Sequence, residues 1–445
     1  MLKTLQNAWK DKEIRKKLLY TFMMLVVIRF GSELPIPGVN TSYFAEFFAK
    51  QSGDAFNFFD AMTGGSFTSL SVLALSITPY ITSSIIMQLL TIAIPKLEEM
   101  QREGEDGRKK IAEYTRYLTV VLALMESTAM AVGFGGQGML IGYNEQGFMG
   151  KASMVVIAVL TMTAGSAFLM WVGERITEKG IGNGISIVLL FNIVSSLPDD
   201  VSSLYNTFMN GKIIAVQVVM LLVILAIAAA MVVFVVYLQD GERRIPVQYS
   251  KKMVGRKMVG GQSSHIPLKI NTAGVIPVIF ASSILSFPVV IAQFFNPDYS
   301  TIPGKILMML NSSYWFRPEM PWYSIGLVIY IVLIVLFAYF YTSITFNPLE
   351  VANNMKKSGG FIPGIRPGTP TSQFLDGILN YIIFIGAVGL IVISVIPIMI
   401  SGLFGVSRLS FMGTSLIIIV SVILETIKAI ESQVVVRNYK GFLND

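Results

Sequence analysis

A chain of 445 residues with 53% apolar and only 14% charged residues, at a mean hydropathy of +0.64, carries too much apolar surface to face water on all sides, since soluble domains hold about 25% charged residues. Zero cysteines exclude disulfides, thiolate metal sites and a thiol nucleophile, and the single histidine, His265, leaves nothing for a histidine-rich metal site or proton relay. The net charge of +7 must be placed along the chain before it is read as affinity for nucleic acid or anionic lipid.

The first seventeen residues are polar and basic and lead into an apolar span from about Leu18 to Leu34, with Arg29 near its end. No small-residue cleavage pattern follows, so this reads as an uncleaved first helix. The next segment, Pro35 to Leu70, is rich in aromatics such as Tyr43, Phe44, Phe47 and Phe48 and passes through Gly64-Gly65 into the small-residue stretch Ser66–Ala74. The glycine pair permits a sharp chain reversal, and the piece fits either a segment re-entering the protein or an amphipathic helix at the membrane interface.

Windows free of Asp, Glu, Lys and Arg then run over Ala61–Pro95, Ala152–Gly173, Gly180–Pro198, Ile213–Gln239, Ile270–Pro297, Met320–Leu349, Gly377–Ser407 and Leu409–Leu424. A span from about Tyr117 to Phe134 contains Glu126. Together with the first span these predict ten transmembrane helices in an all-α polytopic membrane protein. Assigning alternate connections to opposite sides puts 27 of the 34 lysines and arginines on one side, which places both termini in the cytoplasm.

Ten spans divide into two pseudo-symmetric halves of five, residues 1–198 and 213–445, joined by an external hinge connection at 199–212. A short internal echo fits this division. Thr78-Pro79-Tyr80-Ile81 is followed by Ser83-Ser84-Ile85, and Ile276-Pro277-Val278-Ile279 by Ser282-Ser283-Ile284. Interrupted spans at matching places in two halves point to a transport pathway.

Ion-coupled transporters need ionisable groups at mid-membrane, and these spans hold almost none beyond Glu126, read as a carboxylate that reaches water or a neighbouring helix. An intramembrane protease would need a Ser–His or Asp pair inside the spans, and His265 lies in a loop. The broken helices instead carry branched aliphatic side chains, which can exclude water and ions without chemical specificity or can simply pack helices together.

Two loops on the basic side stand out. Residues 240–269 hold Arg243, Arg244, Lys251, Lys252, Arg256, Lys257 and Lys269 against only Asp240 and Glu242. Such density suits a phosphate backbone or acidic partner, and equally anionic phospholipids. Residues 350–376 hold three prolines and four glycines between Gly359 and Pro370, a turn-rich stretch with Arg366 at its tip. No Walker motif occurs; Gly180-Ile181-Gly182-Asn183-Gly184 lacks the following Lys-Ser/Thr and reads as a helix start and hinge, and no cofactor is expected.

Several of these segments resemble the SecY family, the central subunits of bacterial protein-translocation channels. They are Thr78–Ile85, Arg102–Lys110, Gly173–Thr177 with Gly180–Ser186, Asn271–Pro277 and Gly360–Gly368, and they occur in family order. The resemblance implies two five-helix halves around a central pore, with a lateral gate between the second and third spans and the seventh and eighth. It implies a constriction ring of Ile81, Ile85, Leu189, Ile193, Ile279 and Ile418, with Leu189 where isoleucine is typical. It implies a plug over about 63–74, including Thr63, Gly64, Gly65, Ser66, Phe67, Thr68, Ser69 and Leu70. The basic loops become docking surfaces for the ribosome or the motor ATPase SecA, through Arg243, Arg244, Arg256, Lys257 and Arg366. Further implied partners are SecE and SecG-like small membrane subunits and polypeptides bearing signal sequences.

Overall fold

The computed structural model describes residues 9–42, 60, 62–135, 140–210, 213–249, 252–254, 257–259, 263–293, 300–316, 320–404 and 412–441. Its helices are α1 (Lys12–Glu33), α2 (Thr78–Ala93), α3 (Pro95–Arg102), α4 (Glu105–Phe134), α5 (Phe148–Lys179), α6 (Gly184–Phe208) and α7 (Ile214–Asp240). After the strands β1 (Glu242–Tyr249), β2 (Lys252–Val254), β3 (Lys257–Val259) and β4 (Ser263–Lys269) come α8 (Ile276–Gln293), α9 (Ile302–Leu310), α10 (Ile325–Thr345) and α11 (Pro348–Lys357). The strand β5 (Gly360–Phe361) and the long helices α12 (Thr369–Phe404) and α13 (Met412–Gly441) complete the described chain.

Local chemistry sets the starts of these helices. Asp11 Oδ1 accepts from Glu13 N (2.9 Å) and Ile14 N (3.3 Å) to cap α1, and the Asn183 and Asn347 side chains cap α6 and α11 in the same way. Pro79 and Pro95 fill first-turn positions of α2 and α3, where a missing N–H costs nothing.

Among the described residues, seven helices are long and apolar enough to cross a membrane, and α2 with α3 makes an eighth that bends by 101°. The remaining two predicted spans are also present as helices: α1, with charges crowding both ends, and α8, apolar over Ile276–Val289. The chain is thus a polytopic helical membrane protein. Two regions differ from the sequence reading. The basic 240–269 loop forms strands, because Ile245, Val247 and Leu268 alternate with polar residues and bury against helices below. Residues 199–208 extend α6 past Pro198; packing of Leu204 and Met209 against Ile224 and Ile400 overrides the proline.

The interior is a set of apolar clusters, with buried Ser, Thr and Asn side chains among them. One joins Ile36, Phe67 and Leu70 to α4 and α5, and another surrounds Val278, Phe280, Phe337 and Ile393. Small residues allow the closest approaches: a Cβ on Gly184 would lie 2.0 Å from the Gly173 carbonyl oxygen and 2.7 Å from Ile176 Cβ. The Gly184→Ala substitution is therefore expected to cost about 1–3 kcal/mol. Thermal unfolding of the detergent-solubilised protein should show a lowered midpoint.

Candidate functional site

Four of the sequence-predicted ring residues, Leu189, Ile193, Ile279 and Ile418, are buried in one cluster, and Ile81 packs against it. They come from α6, α8, α13 and α2, which converge here from distant parts of the chain. Ile85, one turn further along α2, packs instead against the cluster around Val278 and Phe280. The same buried cluster holds Met62, Leu73 and Ile77, so residues 62–77 lie directly against the converging side chains.

That segment is neither helix nor strand for most of its length, yet it is almost wholly buried. Of the two alternatives for it, the interior one holds for residues 62–77, while 43–59 lie outside the described residues. Gly64 and Gly65 adopt left-handed backbone (φ +67° and +84°), as the chain reversal requires. The Asp60 carboxylate accepts from Thr68 N (3.2 Å) and Thr68 Oγ1 (2.9 Å), and Thr63 Oγ1 accepts from Phe67 N (3.2 Å). Ile36 N donates to Leu70 O (3.0 Å) and Val72 N to Leu34 O (2.8 Å), a two-bond antiparallel staple to the end of α1. From α1, Arg29 donates to Gly64 O (3.2 Å) while pairing with Glu33 (2.6 Å).

Sequence reading missed two participants. Asn192 on α6 donates from Nδ2 to Met62 O (3.1 Å) and to Ser76 Oγ (2.9 Å), and Ser166 Oγ on α5 donates to Ser76 O (3.1 Å). The available signal was an amide alone in the apolar run Ile187–Val194. Glu126, by contrast, is half-buried on α4, next to Ser127, whose hydroxyl pairs with Thr163 Oγ1 (3.1 Å).

At one end of the bundle the two basic loops form a single body. β1 pairs antiparallel with β4 and, through Gln248 and Tyr249, with β5 of the 350–376 loop. Ile245, Val247 and Leu268 bury against Met355, Ile362, Leu375 and Ile378. Arg243, Arg244 and Arg366 are exposed on this body, with Arg244 paired to Glu242 (2.6 Å). Lys257 lies on β3, paired with β2, while Arg256 falls outside the described residues. His265 is an exposed residue opposite Pro246.

Residues 71–427 match the SecY family. Along its whole length the chain is 40% identical to protein translocase subunit SecY of Halalkalibacterium halodurans over 447 residues, and 43% identical to that of Streptomyces coelicolor over 451, covering all of each relative. The chain belongs to the SecY family. Its fold is also that of solved SecY-type channels. A structure described as "The plug domain of the SecY protein stablizes the closed state of the translocation channel and maintains a membrane seal" aligns at a TM-score of 0.60 and 17% identity, over 95% of this chain and 93% of that one. Sec61 in the canine ribosome-channel complex from the endoplasmic reticulum aligns at 0.57 and 17%, with the same coverage. In this SecY-family chain the β-ribbon's rigidity rests on its buried alternation. Ile245→Ala is expected to cost about 2–4 kcal/mol of local stability, seen as faster tryptic cleavage within residues 242–269.

Proposed function

We propose that this chain is the channel-forming subunit of a protein translocase, conducting unfolded secretory polypeptides across the cytoplasmic membrane and releasing apolar segments sideways into lipid. The observation that carries this reading is the convergence of Ile81, Leu189, Ile193, Ile279 and Ile418 over the buried segment 62–77. A ring of branched aliphatic side chains excludes water and ions by dewetting but offers no chemistry that selects one residue over another in a passing chain. Residues 63–74 act as the plug, and Ile85, one turn along α2 from Ile81, is the sixth ring position.

The lateral gate lies between α2 with α4 and α8 with α10. In support, α2 packs mainly on α4, and α8 mainly on α10, while no extensive contact joins α2 to α8 among the described residues. An apolar signal segment entering there favours the open state to the extent that it binds open better than closed. Residues 1–198 and 213–445 are the two halves that part, about the connection at 199–212.

Driving force comes from SecA or the translating ribosome, docked on the body that exposes Arg243, Arg244 and Arg366 and through Arg256 and Lys257 of the same basic loop. The positive-inside bias puts that end, with both termini, in the cytoplasm. Helix α7 buries only Val235 and Leu238, which leaves its apolar surface to lipid and to SecE- and SecG-like subunits, with anionic phospholipid headgroups at the basic end.

The chain's lack of cysteine makes one experiment direct. Single cysteines at Ile81 and Ile279 should both form adducts with a cysteine in a stalled secretory polypeptide, and lose them when its signal segment is deleted. Absence of adducts with the polypeptide still translocated would remove the ring. The charge-reversing Arg366→Glu change should reduce SecA-driven translocation by about tenfold or more while leaving thermal stability unchanged, since the side chain is solvent-exposed.

A further inference from the structure

Residues 62–77 form a loop whose two ends are held by one side chain. Asn192 donates one amide hydrogen to the Met62 carbonyl at the start of the segment and the other to the Ser76 hydroxyl at its end. A carbonyl can only accept, so the contact with Met62 fixes which face of the amide is the NH2. Both Asn192 and Ser76 are buried, at 5% and 1% exposure, so no water competes for these bonds.

The surrounding backbone is built for this contact. Ser76 takes a left-handed conformation (φ +51°), which a non-glycine residue adopts at a cost, and Ser166 fixes its carbonyl from α5. Gly64 lies against the Asn192 backbone, where a Cβ would stand 3.0 Å from Asn192 O and 3.1 Å from its Cα. Asn192 in turn sits one residue before Ile193 and three after Leu189, on the helix that contributes two ring positions.

We infer that Asn192 is a positioning residue that latches both ends of the segment to α6 and so sets how strong a signal segment must be to open the channel. This rests on the reading of 63–74 as the plug. Losing the donor leaves the Met62 carbonyl buried and unpaired in the closed state only, which shifts the balance toward open. Polypeptides with weakened signal segments then pass.

The test uses the complete translocase in proteoliposomes, with two substrates: one with an intact signal segment and one weakened by an arginine in its apolar core. Asn192→Leu keeps most of the side-chain volume but donates nothing, and Ser76→Ala removes only the hydroxyl. Each should raise translocation of the weakened substrate relative to the intact one by about five- to tenfold, and raise ion leak through resting channels. The double variant should match Asn192→Leu alone, because that substitution already removes the one contact that Ser76→Ala breaks. A ratio unchanged in both variants, or effects that multiply in the double, overturns the latch. Deletion of residues 65–69 separates the two ideas. If that deletion leaks ions and Asn192→Leu does not, the latch fails and the plug stands; if neither leaks, the plug reading falls and the latch with it.

Discussion

Irregular backbone inside a bundle of apolar spans must find every hydrogen bond within the protein, because lipid supplies none. Residues 62–77 draw their hydrogen bonds from short-range turns, the staple to Leu34 and Ile36, and side chains borrowed from three spans: Arg29, Ser166 and Asn192. Those spans are shaped to bring the backbones close enough. A Cβ on Gly165 would lie 1.9 Å from Val72 O, and one on Gly31 would lie 2.8 Å from Leu73 Cδ1. The helices α1, α5 and α6 are thus fitted around a segment that is not itself a span.

Two kinds of interaction meet at this place, and they differ in what they require. The aliphatic contacts of Leu189, Ile193, Ile279 and Ile418 are non-directional, so they can form against one another or against any chain threaded between them. The hydrogen bonds of Asn192 and Arg29 need particular partners at particular distances and exist in one arrangement alone. On the proposed reading the seal is therefore tolerant and the closed state unique. A channel for many sequences needs the first property, and a membrane that must not leak needs the second.

Much of this was legible in the sequence. Charge-free windows marked eight of the ten predicted spans, and each of the eight lies on a helix, because about 20 uncharged residues in hydrocarbon admit few other structures. The Gly64-Gly65 pair announced a reversal, and the structure puts both in left-handed backbone. The β-ribbon was not legible. Pro246 and Pro267 interrupt both strands, and the alternation of Ile245 and Val247 is short and flanked by charge. Nor was the role of Asn192, since its partners lie 130 and 116 residues away in sequence and only the fold brings them together. Ring membership came from family resemblance, because spacing alone cannot tell a pore-facing isoleucine from one that packs two helices.

Leu189, Asn192 and Ile193 stand at i, i+3 and i+4 on α6, and so share one face of a single rigid element. Any displacement of α6 large enough to widen the ring also stretches the Asn192 contacts, since a hydrogen bond weakens steeply beyond about 3.5 Å. On the proposed ring and plug, opening the one and freeing the other are then one event rather than two. A signal segment at the gate has to supply the sum of both costs through its preference for the open form. A weak apolar segment falls short of that sum, and its polypeptide stays on the side where it was made.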